Sequence, residues 1–259
     1  MKRIGKLESV WRYPVKSMRG EEVEEIYAAY TGLMGDRVYA VSSTDAIPEF
    51  PWHTNREHEE FVLYTPRFKN HQDTLLPPAL EATYEEALNP PYPLDDRFAV
   101  EIVTPEGKTI DVDSPAFLEG LKDKSEGDLS LYYTQKNTVD CRPLSLFSLQ
   151  TVKQLASEMN MELDKRRFRA NFYADWDTEG GFYEDTLINR RLKIGERLEV
   201  MIIEPDPRCK SITIDPDTAE TSPKILKYIS RKHDNNAGVF AAVLKEGAVK
   251  TGDEICLLD

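Results

Sequence analysis

Lys193-Ile194-Gly195-Glu196-Arg197-Leu198 places a glycine turn directly before a strand in which apolar and polar residues alternate. The same pattern returns near the end of the chain, at Lys250-Thr251-Gly252-Asp253-Glu254-Ile255. Two copies do not make a solenoid, but strand-rich segments separated by such turns are typical of a β-barrel. The sequence therefore predicts a mostly β fold with a barrel core.

Apolar spacing and turn residues predict the other elements. We expect strands at residues 38–41, 61–64, 98–103, 110–112, 168–173, 198–203, 211–214, 238–244 and 254–258, with a hairpin loop at 104–109. Helices are expected near 117–121 after Ser114-Pro115, from Ser148 to Asn160, and from Ser222-Pro223 onward. Residues 66–97 hold six of the sixteen prolines and are interpreted as an extended loop or insertion. The predicted class is mostly β (α+β), with a few packing helices.

The composition narrows the classes of partner. A formal net charge of −13, from 46 acidic and 33 basic side chains, argues against a nucleic-acid partner or an anionic membrane surface. A small anionic ligand is still compatible with this charge, because it needs only a local basic cluster. The residues after Met1-Lys2-Arg3 form no apolar signal region, and no run is long enough to span a bilayer. We therefore expect a cytoplasmic protein.

Cys209 is the strongest candidate for chemistry among the three cysteines. Cys141, Cys209 and Cys256 form no CxxC motif, which argues against a disulfide scaffold, a structural zinc site and an iron–sulfur cluster. Arg208 and Lys210 flank Cys209 in a proline-stiffened loop, and neighbouring cations favour the thiolate, a nucleophile and soft-metal ligand. The alternative is that Cys209 is a small buried residue with a packing role, as lone cysteines commonly are.

The cysteine loop resembles the signature of MOSC domains, the domains that end molybdenum cofactor sulfurases. The matching residues are Arg208-Cys209 followed by Ile214-Asp215-Pro216-Asp217-Thr218. Further segments match the family in order: Tyr13-Pro14-Val15-Lys16-Ser17, Gly35-Asp36-Arg37, Phe168-Arg169-Ala170-Asn171 and Lys250-Thr251-Gly252-Asp253. The resemblance implies a MOSC N-terminal β-barrel segment at 1–135 and a MOSC domain with a β-barrel core at 136–259. Within this family, the chain resembles the amidoxime-reducing and hydroxylaminopurine-resistance branch, although its Pro205-Asp206-Pro207 departs from that branch.

The resemblance implies a bound molybdenum cofactor, which is a pyranopterin-dithiolene that carries molybdenum. Cys209 would be the catalytic residue and the protein's ligand to the metal. The residues implied for the pterin and phosphate end are Lys16, Ser17, Arg37, Ser148, Arg169, Asn171 and Arg208. Such a set suits the ligand, because guanidinium forks and a lysine bind phosphate and polar groups bind a pterin edge.

Several of these residues have plainer interpretations. Arg37 beside Asp36 could form an ordinary surface ion pair, which is the commoner outcome for such neighbours. Lys16-Ser17 could belong to an unspecialised loop, and Asn171 could be a turn or edge residue. Trp52 and His53 have no counterpart in the family and could border a substrate pocket.

The leading functional hypothesis is a molybdenum-dependent oxidoreductase that reduces N-hydroxylated small molecules. Its electrons would come from a separate redox protein, because the 259 residues contain no ferredoxin-like or flavin module. They also contain no pyridoxal-phosphate desulfurase region, so we do not expect this chain alone to remove sulfur from cysteine. The alternatives are a sulfur carrier with a persulfide on Cys209 and a sulfur donor or acceptor protein, a non-catalytic cofactor-binding module, and an unrelated barrel with a structural cysteine.

Overall fold

Sixteen β-strands are the main regular elements among the residues described by the computed structural model, which are 1–81, Tyr84, 96–134 and 138–258. In chain order they are β1 (Lys2–Arg12), β2 (Glu21–Val23), β3 (Glu25–Ala29), β4 (Gly32–Leu33), β5 (Tyr39–Ser43), β6 (Thr65–Phe68), β7 (Val100–Val103), β8 (Thr109–Asp111), β9 (Leu129–Tyr133), β10 (Leu144–Ser148), β11 (Phe172–Trp176), β12 (Arg191–Ile194), β13 (Leu198–Pro207), β14 (Asn236–Lys245), β15 (Gly247–Lys250) and β16 (Glu254–Leu257). The mostly β prediction is therefore confirmed.

A closed barrel lies at the centre of the fold. Its strands follow the order β11–β10–β14–β13–β12–β16–β1, and β1 closes the ring by pairing with β11. Closure needs a close approach at Gly5, where a Cβ atom would lie 2.6 Å from the carbonyl oxygen of Asp175. Because closure leaves no free edge, the barrel satisfies its own backbone hydrogen bonds. The N-terminal strand thus belongs to a barrel whose other strands come from the second half of the chain.

Smaller sheets cover the barrel. β5 pairs with β9, β6 and β8 flank β7, and β3 pairs with both β4 and β15. The β7–β8 hairpin confirms the predicted loop at 104–109. Because β3 lies in the first half of the chain and β15 in the second, this small sheet also joins the two halves.

Three α-helices lie wholly within the described residues, and all three were expected from the sequence. They are α1 (Pro115–Leu121), α2 (Leu149–Met159) and α3 (Pro223–Lys232). Ser114 and Ser148 cap α1 and α2, and Asn160 ends α2 in the left-handed conformation. α2 is the crossover between β10 and β11, a parallel pair that cannot be joined by a tight turn. None of the helices in the described ranges is long and apolar enough to cross a membrane.

Two apolar clusters hold these layers together. The larger fills the barrel and continues under the small sheets, with fully buried residues from both halves such as Val10, Leu33, Leu144 and Ile202. The smaller packs α2 and α3 against the barrel wall through Phe147, Phe168 and other buried side chains. The faces of Phe147 and Phe168 stack, with ring centroids 4.1 Å apart. Because Arg169 directly follows Phe168 in the chain, the stacked pair also fixes the place at which Arg169 begins.

The structure corrects three predicted strands. Residues 61–64 lie mainly in a 3₁₀ helix (Glu59–Leu63), and residues 211–214 lie mainly in another (Lys210–Thr213). The strand expected at 168–173 begins only at Phe172, because a 3₁₀ helix (Lys165–Phe168) and a left-handed residue precede it. Short apolar runs do not distinguish a strand from a helical turn, which explains these errors.

The proline-rich stretch at 66–97 is only partly described. It begins inside β6 and continues through a 3₁₀ helix (His71–Thr74). Residues 82–83 and 85–95, which are 13 of the 32 residues of the predicted loop, lie outside the described residues. The loop prediction stays untested for them, while the described part contains the end of a strand and a 3₁₀ helix.

A buried carboxylate ties α2 to the barrel. Glu184 is fully buried, and its two oxygens accept hydrogen bonds from the Ser148 hydroxyl at 2.8 Å, the Thr151 hydroxyl at 2.8 Å and the Trp176 indole at 3.2 Å. The Ser148 hydroxyl also accepts a hydrogen bond from the Thr151 backbone N–H, which caps α2. Ser148 therefore caps α2, as the sequence predicts, and it also binds Glu184, which the sequence did not suggest.

We predict that Ser148→Ala lowers the free energy of unfolding by about 2 kcal/mol, because it removes a helix cap and leaves one hydrogen-bonding position on buried Glu184 unfilled. Urea unfolding measures the loss. Ser114→Ala is the matched control: it removes the cap of the shorter helix α1 with no buried carboxylate behind it, so the loss should be smaller. Equal losses in the two variants would contradict this role for Glu184.

Candidate functional site

A cavity of about 480 Å³ opens at the end of β13, where Cys209 lies. We call it the main cavity. Seven basic side chains and two carboxylates are among its described lining residues: Lys16, Arg37, Arg56, Arg142, Arg167, Arg169 and Arg208, with Asp140 and Asp206. The chain as a whole carries a formal charge of −13. Basic groups that converge in an acidic protein indicate a site for an anionic ligand.

Tyr13 organises the inner wall of the main cavity. The guanidinium carbons of Arg37 and Arg169 lie 4.6 Å and 4.3 Å from its ring centroid. Asp36 is fully buried and accepts hydrogen bonds from the Tyr13 backbone N–H at 2.7 Å and from Arg37 at 2.5 Å. Arg37 also donates to the backbone carbonyl of Arg169. The Asp36–Arg37 pair is therefore an interior pair that orients a cation, and not the surface pair considered from the sequence.

Three of the residues expected to bind the cofactor have left-handed backbones. The φ angles are +69° at Ser17, +50° at Arg37 and +53° at Arg169. Residues other than glycine rarely adopt this conformation, and they do so mainly where the surrounding structure enforces it, often at functional sites. At each of these positions the chain turns sharply beside the main cavity, so the strain coincides with the expected site.

Lys16 lies at the outer end of the cavity. Its ammonium group donates to the backbone carbonyl of Thr138 at 2.5 Å and pairs with Asp140. The rings of Phe50 and Trp52 lie 5.4 Å and 5.9 Å from the same nitrogen. Burial lowers the pKa of Lys16, and the neighbouring carboxylate of Asp140 opposes that effect. Lys16 is thus a positioned cation.

Arg208 and Asp206 form a buried pair beside Cys209. Their side chains are 2.8 Å apart, and Arg208 also donates to the carbonyls of Ala237 at 2.6 Å and Phe168 at 3.0 Å. Gly238 makes room for the guanidinium, because a Cβ atom there would lie 3.0 Å from Nη2 of Arg208 and 2.5 Å from the Phe147 ring. Burial raises the pKa of Asp206 to about 6, although Arg208 acts in the opposite direction.

Cys209 is partly exposed and is not in a disulfide. Its thiol lies 3.5 Å from the hydroxyl of Ser211, to which it can donate. The two flanking cations point elsewhere: Arg208 pairs with Asp206, and Lys210 binds the Glu59 carboxylate and the Arg56 carbonyl at 2.6 Å each. Cys209 therefore lies in the wall of a basic cavity and is only partly buried.

Two of the expected site residues have other clear roles. Asn171 lines the main cavity, but its side chain also joins β10 to β1 by accepting from the Ser145 backbone at 3.2 Å and donating to the Trp11 carbonyl at 3.2 Å. Ser148 is fully buried in the Glu184 network and is not among the lining residues. The other expected residues, namely Lys16, Ser17, Arg37, Arg169, Arg208 and Cys209, line the main cavity together with Asn171.

Sequence reasoning did not identify several other lining residues. Asn55, Arg56 and Ser211 had no motif to mark them, and Asp206 was noticed only as part of a departure from the family. Cys141, a weaker candidate in the sequence, lies on the same cavity. Trp52 and His53 are not among the lining residues, although their neighbours Phe50 and Thr54 are.

Family models match both halves of the chain. The MOSC domain model matches residues 134–256, and the MOSC N-terminal beta barrel domain model matches residues 4–110. The chain belongs to the MOSC family. Lys16, Ser17 and Arg37 lie in the N-terminal match, while Arg169, Arg208 and Cys209 lie in the MOSC match, so both domains build the main cavity. The domain boundary expected between 135 and 136 falls at residues 135–137, which lie outside the described residues, and stays a prediction.

The curated relatives are much longer than this MOSC protein. Molybdenum cofactor sulfurase of Caenorhabditis elegans is 29% identical over 121 residues, which are 46% of this chain and 16% of that protein. The Caenorhabditis briggsae enzyme of the same name is 28% identical over 121 residues, with the same shares. The match therefore spans only a small part of the length of these relatives.

Solved structures of similar proteins share low sequence identity with it. The YUAD protein of Bacillus subtilis is 14% identical, with a TM-score of 0.49 over 98% of this chain and 96% of that one. YiiM from Geobacillus stearothermophilus is 16% identical, with a TM-score of 0.36 over 46% of this chain and 55% of that one.

We predict that Asp206→Asn becomes more stable relative to the parent protein as the pH rises from 4 to 7. Because burial raises the pKa of Asp206 to about 6, the folded parent keeps the proton that the unfolded chain loses near pH 4. The parent therefore loses stability across this window, by roughly 3 kcal/mol at about 1.4 kcal/mol per pKa unit. The asparagine variant does not share this loss, and urea unfolding of both proteins at the two pH values measures the difference.

Asp217→Asn provides the control of opposite sign. The Arg166 and Arg19 side chains hold the pKa of Asp217 below its ordinary value, so its variant should lose stability relative to the parent as the pH rises. The same pH trend in both variants would show that the effect does not come from burial of Asp206.

Proposed function

We propose that this MOSC protein binds the molybdenum cofactor in the main cavity, with Cys209 as the metal ligand, and that it reduces N-hydroxylated compounds. The observation that carries the proposal is that Cys209 and six of the seven expected cofactor-binding residues line one cavity. These residues come from segments more than 150 positions apart in the chain. A fold with no anionic ligand to bind would gain little by bringing so many like charges together.

Unsatisfied polar groups support an anionic ligand with hydrogen-bond acceptors. Within the described residues, Nη2 of Arg169, Nη2 of Arg208 and Nδ2 of Asn55 are buried without a hydrogen-bond partner, and all three residues line the main cavity. A buried donor without an acceptor costs about 1–3 kcal/mol. Phosphate oxygens and the polar edge of a pterin are acceptors that would remove this cost. The residues therefore fit the cofactor.

The cationic groups keep their charge at neutral pH. Burial lowers the pKa of Arg169 to about 10, which is still far above physiological pH. Arg37 and Arg169 are held in fixed orientations by Asp36 and by the ring of Tyr13. Fixed guanidinium groups bind phosphate with less loss of side-chain entropy than mobile ones. These two arginines would hold the phosphate end of the cofactor, and Cys209 would hold the metal end.

Reduction of a hydroxylamine to an amine consumes two electrons and two protons and releases water. When bound, the cofactor would supply the redox chemistry of this reaction. Asp206 lies on the cavity three residues before Cys209, and its carboxyl oxygen holds a proton up to about pH 6. It is therefore placed to exchange a proton with the reacting molecule. A separate redox protein would deliver the electrons.

We expect near-stoichiometric molybdenum in the parent protein purified from a host that makes the cofactor, and at least a tenfold loss in Cys209→Ala, since removing even a residue that only supports a metal ligand costs about 10–100-fold in affinity. Elemental analysis and pterin fluorescence measure metal and cofactor separately. Cys141→Ala is the matched control, because it removes a thiol from the same cavity and should keep the metal. Equal molybdenum contents in the two alanine variants would exclude Cys209 as the ligand.

We also expect the molybdenum-loaded parent to oxidise a reduced viologen dye when an N-hydroxylated compound is added. The rate should fall by at least a factor of about ten in Cys209→Ala, in line with its loss of metal. The absorbance of the dye follows the reaction, and the amine product is quantified separately. A loaded parent that oxidises no dye would be a cofactor-binding module without this activity.

A sulfur carrier is the second candidate function. Two features favour it: Cys209 is partly exposed, and Cys141 lies on the same cavity, so a persulfide on one thiol would have a second thiol nearby. Cyanide-labile sulfur on Cys209 in protein that contains no molybdenum would favour the carrier over the reductase. A sulfur donor or acceptor protein would then replace the electron donor as partner.

A further inference from the structure

A second, smaller cavity lies behind the main cavity. It measures about 180 Å³, and we call it the side cavity. Trp11, Val62, Ile214 and Pro216 give it apolar walls on several sides. Arg169 and Ser211 line both cavities, so the two spaces meet at these residues. Because the Ser211 hydroxyl lies 3.5 Å from the Cys209 thiol, the side cavity begins next to the proposed metal ligand.

The arginines of the side cavity are mostly neutralised. Arg19 binds Asp217 at 2.9 Å, and Arg166 binds the same carboxylate at 2.5 Å. Arg167 binds Asp215 at 2.6 Å. Carboxylates thus cancel the charge of three of these arginines, and a phosphate would gain little there. This distinguishes the side cavity from the main cavity, where basic groups outnumber carboxylates.

Arg169 differs from the other three arginines of the side cavity. It lies against the ring of Tyr13, and its Nη2 has no hydrogen-bond partner within the described residues. A ligand in the side cavity would therefore meet the apolar walls, the Glu22 carboxylate, three arginines already paired with carboxylates, and one arginine without a carboxylate partner at the junction with the main cavity. That combination selects an apolar molecule with a single hydrogen-bond acceptor at one edge.

Size and shape favour an aromatic ring. An apolar cavity of about 150 Å³ is large enough to bind benzene. The side cavity is slightly larger, and Trp11 offers an indole beside Val62 and Pro216. Aromatic rings pack well against indole and proline side chains, whereas a hydrated polar group would lose its water there without replacement.

We propose that the side cavity binds a single aromatic ring whose hydrogen-bond acceptor faces Arg169. The ring is part of the molecule that reacts beside Cys209, which makes the side cavity the specificity pocket. This last assignment rests on the proposed function, but the binding of the ring does not. Val62 is a buried apolar residue of the 3₁₀ helix Glu59–Leu63 that lines the cavity, so a larger side chain at this position would fill the pocket.

The first test measures binding of benzamide, a benzene ring with one carbonyl acceptor, to protein without molybdenum by saturation-transfer NMR titration. Val62→Phe fills the cavity and should weaken benzamide binding at least tenfold. Val62→Ala is the matched control: it should keep benzamide binding and gain binding of 2-naphthamide, which the parent excludes by size. If Val62→Phe does not fold, Ile214→Phe replaces it, because Ile214 also lines the side cavity. The same loss of benzamide binding is expected.

Unchanged benzamide binding in a folded, filled variant would overturn the proposal, whatever the molybdenum content of the protein.

The second test uses the molybdenum-loaded protein and two substrates, N-phenylhydroxylamine and N-methylhydroxylamine. Val62→Phe should raise KM at least tenfold for the phenyl compound alone and leave kcat unchanged. An equal change for both compounds would show that the ring does not enter the side cavity during the reaction. Absence of molybdenum would refute the proposed function and leave the benzamide result intact.

Discussion

The antiparallel pairing of β1 with β11 is the interaction on which the rest of the molecule depends. It closes the barrel, and its register places Val10 opposite Phe172. Because the strands run in opposite directions, the residues that follow β1 lie beside the residues that precede β11. Tyr13 thereby reaches Arg169, and the backbone hydrogen bond from Trp11 to Asn171 fixes the junction. One pairing thus stabilises the barrel and joins the two halves of the main cavity.

Charge in the main cavity is held in place by three carboxylates, of which Asp36 and Asp206 are buried and Asp140 is exposed. Asp36 orients Arg37, Asp206 pairs with Arg208, and Asp140 pairs with Lys16. Each carboxylate offsets part of the cost of burying its partner, while basic groups remain in excess around the space. In a chain with an acidic surface, this excess is local. It concentrates attraction for an anion at one place.

The sequence predicted the barrel, the three helices and seven of the residues that line the main cavity, and it did so for two different reasons. Ser148, Asn160 and the glycine turns are local signals, whose meaning depends only on the neighbouring residues. Arg37, Arg169 and Cys209 were found through a resemblance, since no local pattern shows that they meet. Arg56 and Ser211 have neither kind of signal, because only the folded chain brings them to the cavity. Ser148 was expected at the cofactor, but its cap role binds it to Glu184.

The predicted strand at 211–214 was wrong at the place where the two cavities meet. The segment instead forms a 3₁₀ helix that begins directly after Cys209. In a strand, Ser211 and Ile214 would point to opposite faces, because their spacing is an odd number of residues. In the tighter helix, Ser211 lies at the thiol and Ile214 lines the side cavity. Local sequence rules fail most often at functional sites, where other constraints override them. Here one short segment places Ser211 at the Cys209 thiol and Ile214 in the wall of the side cavity.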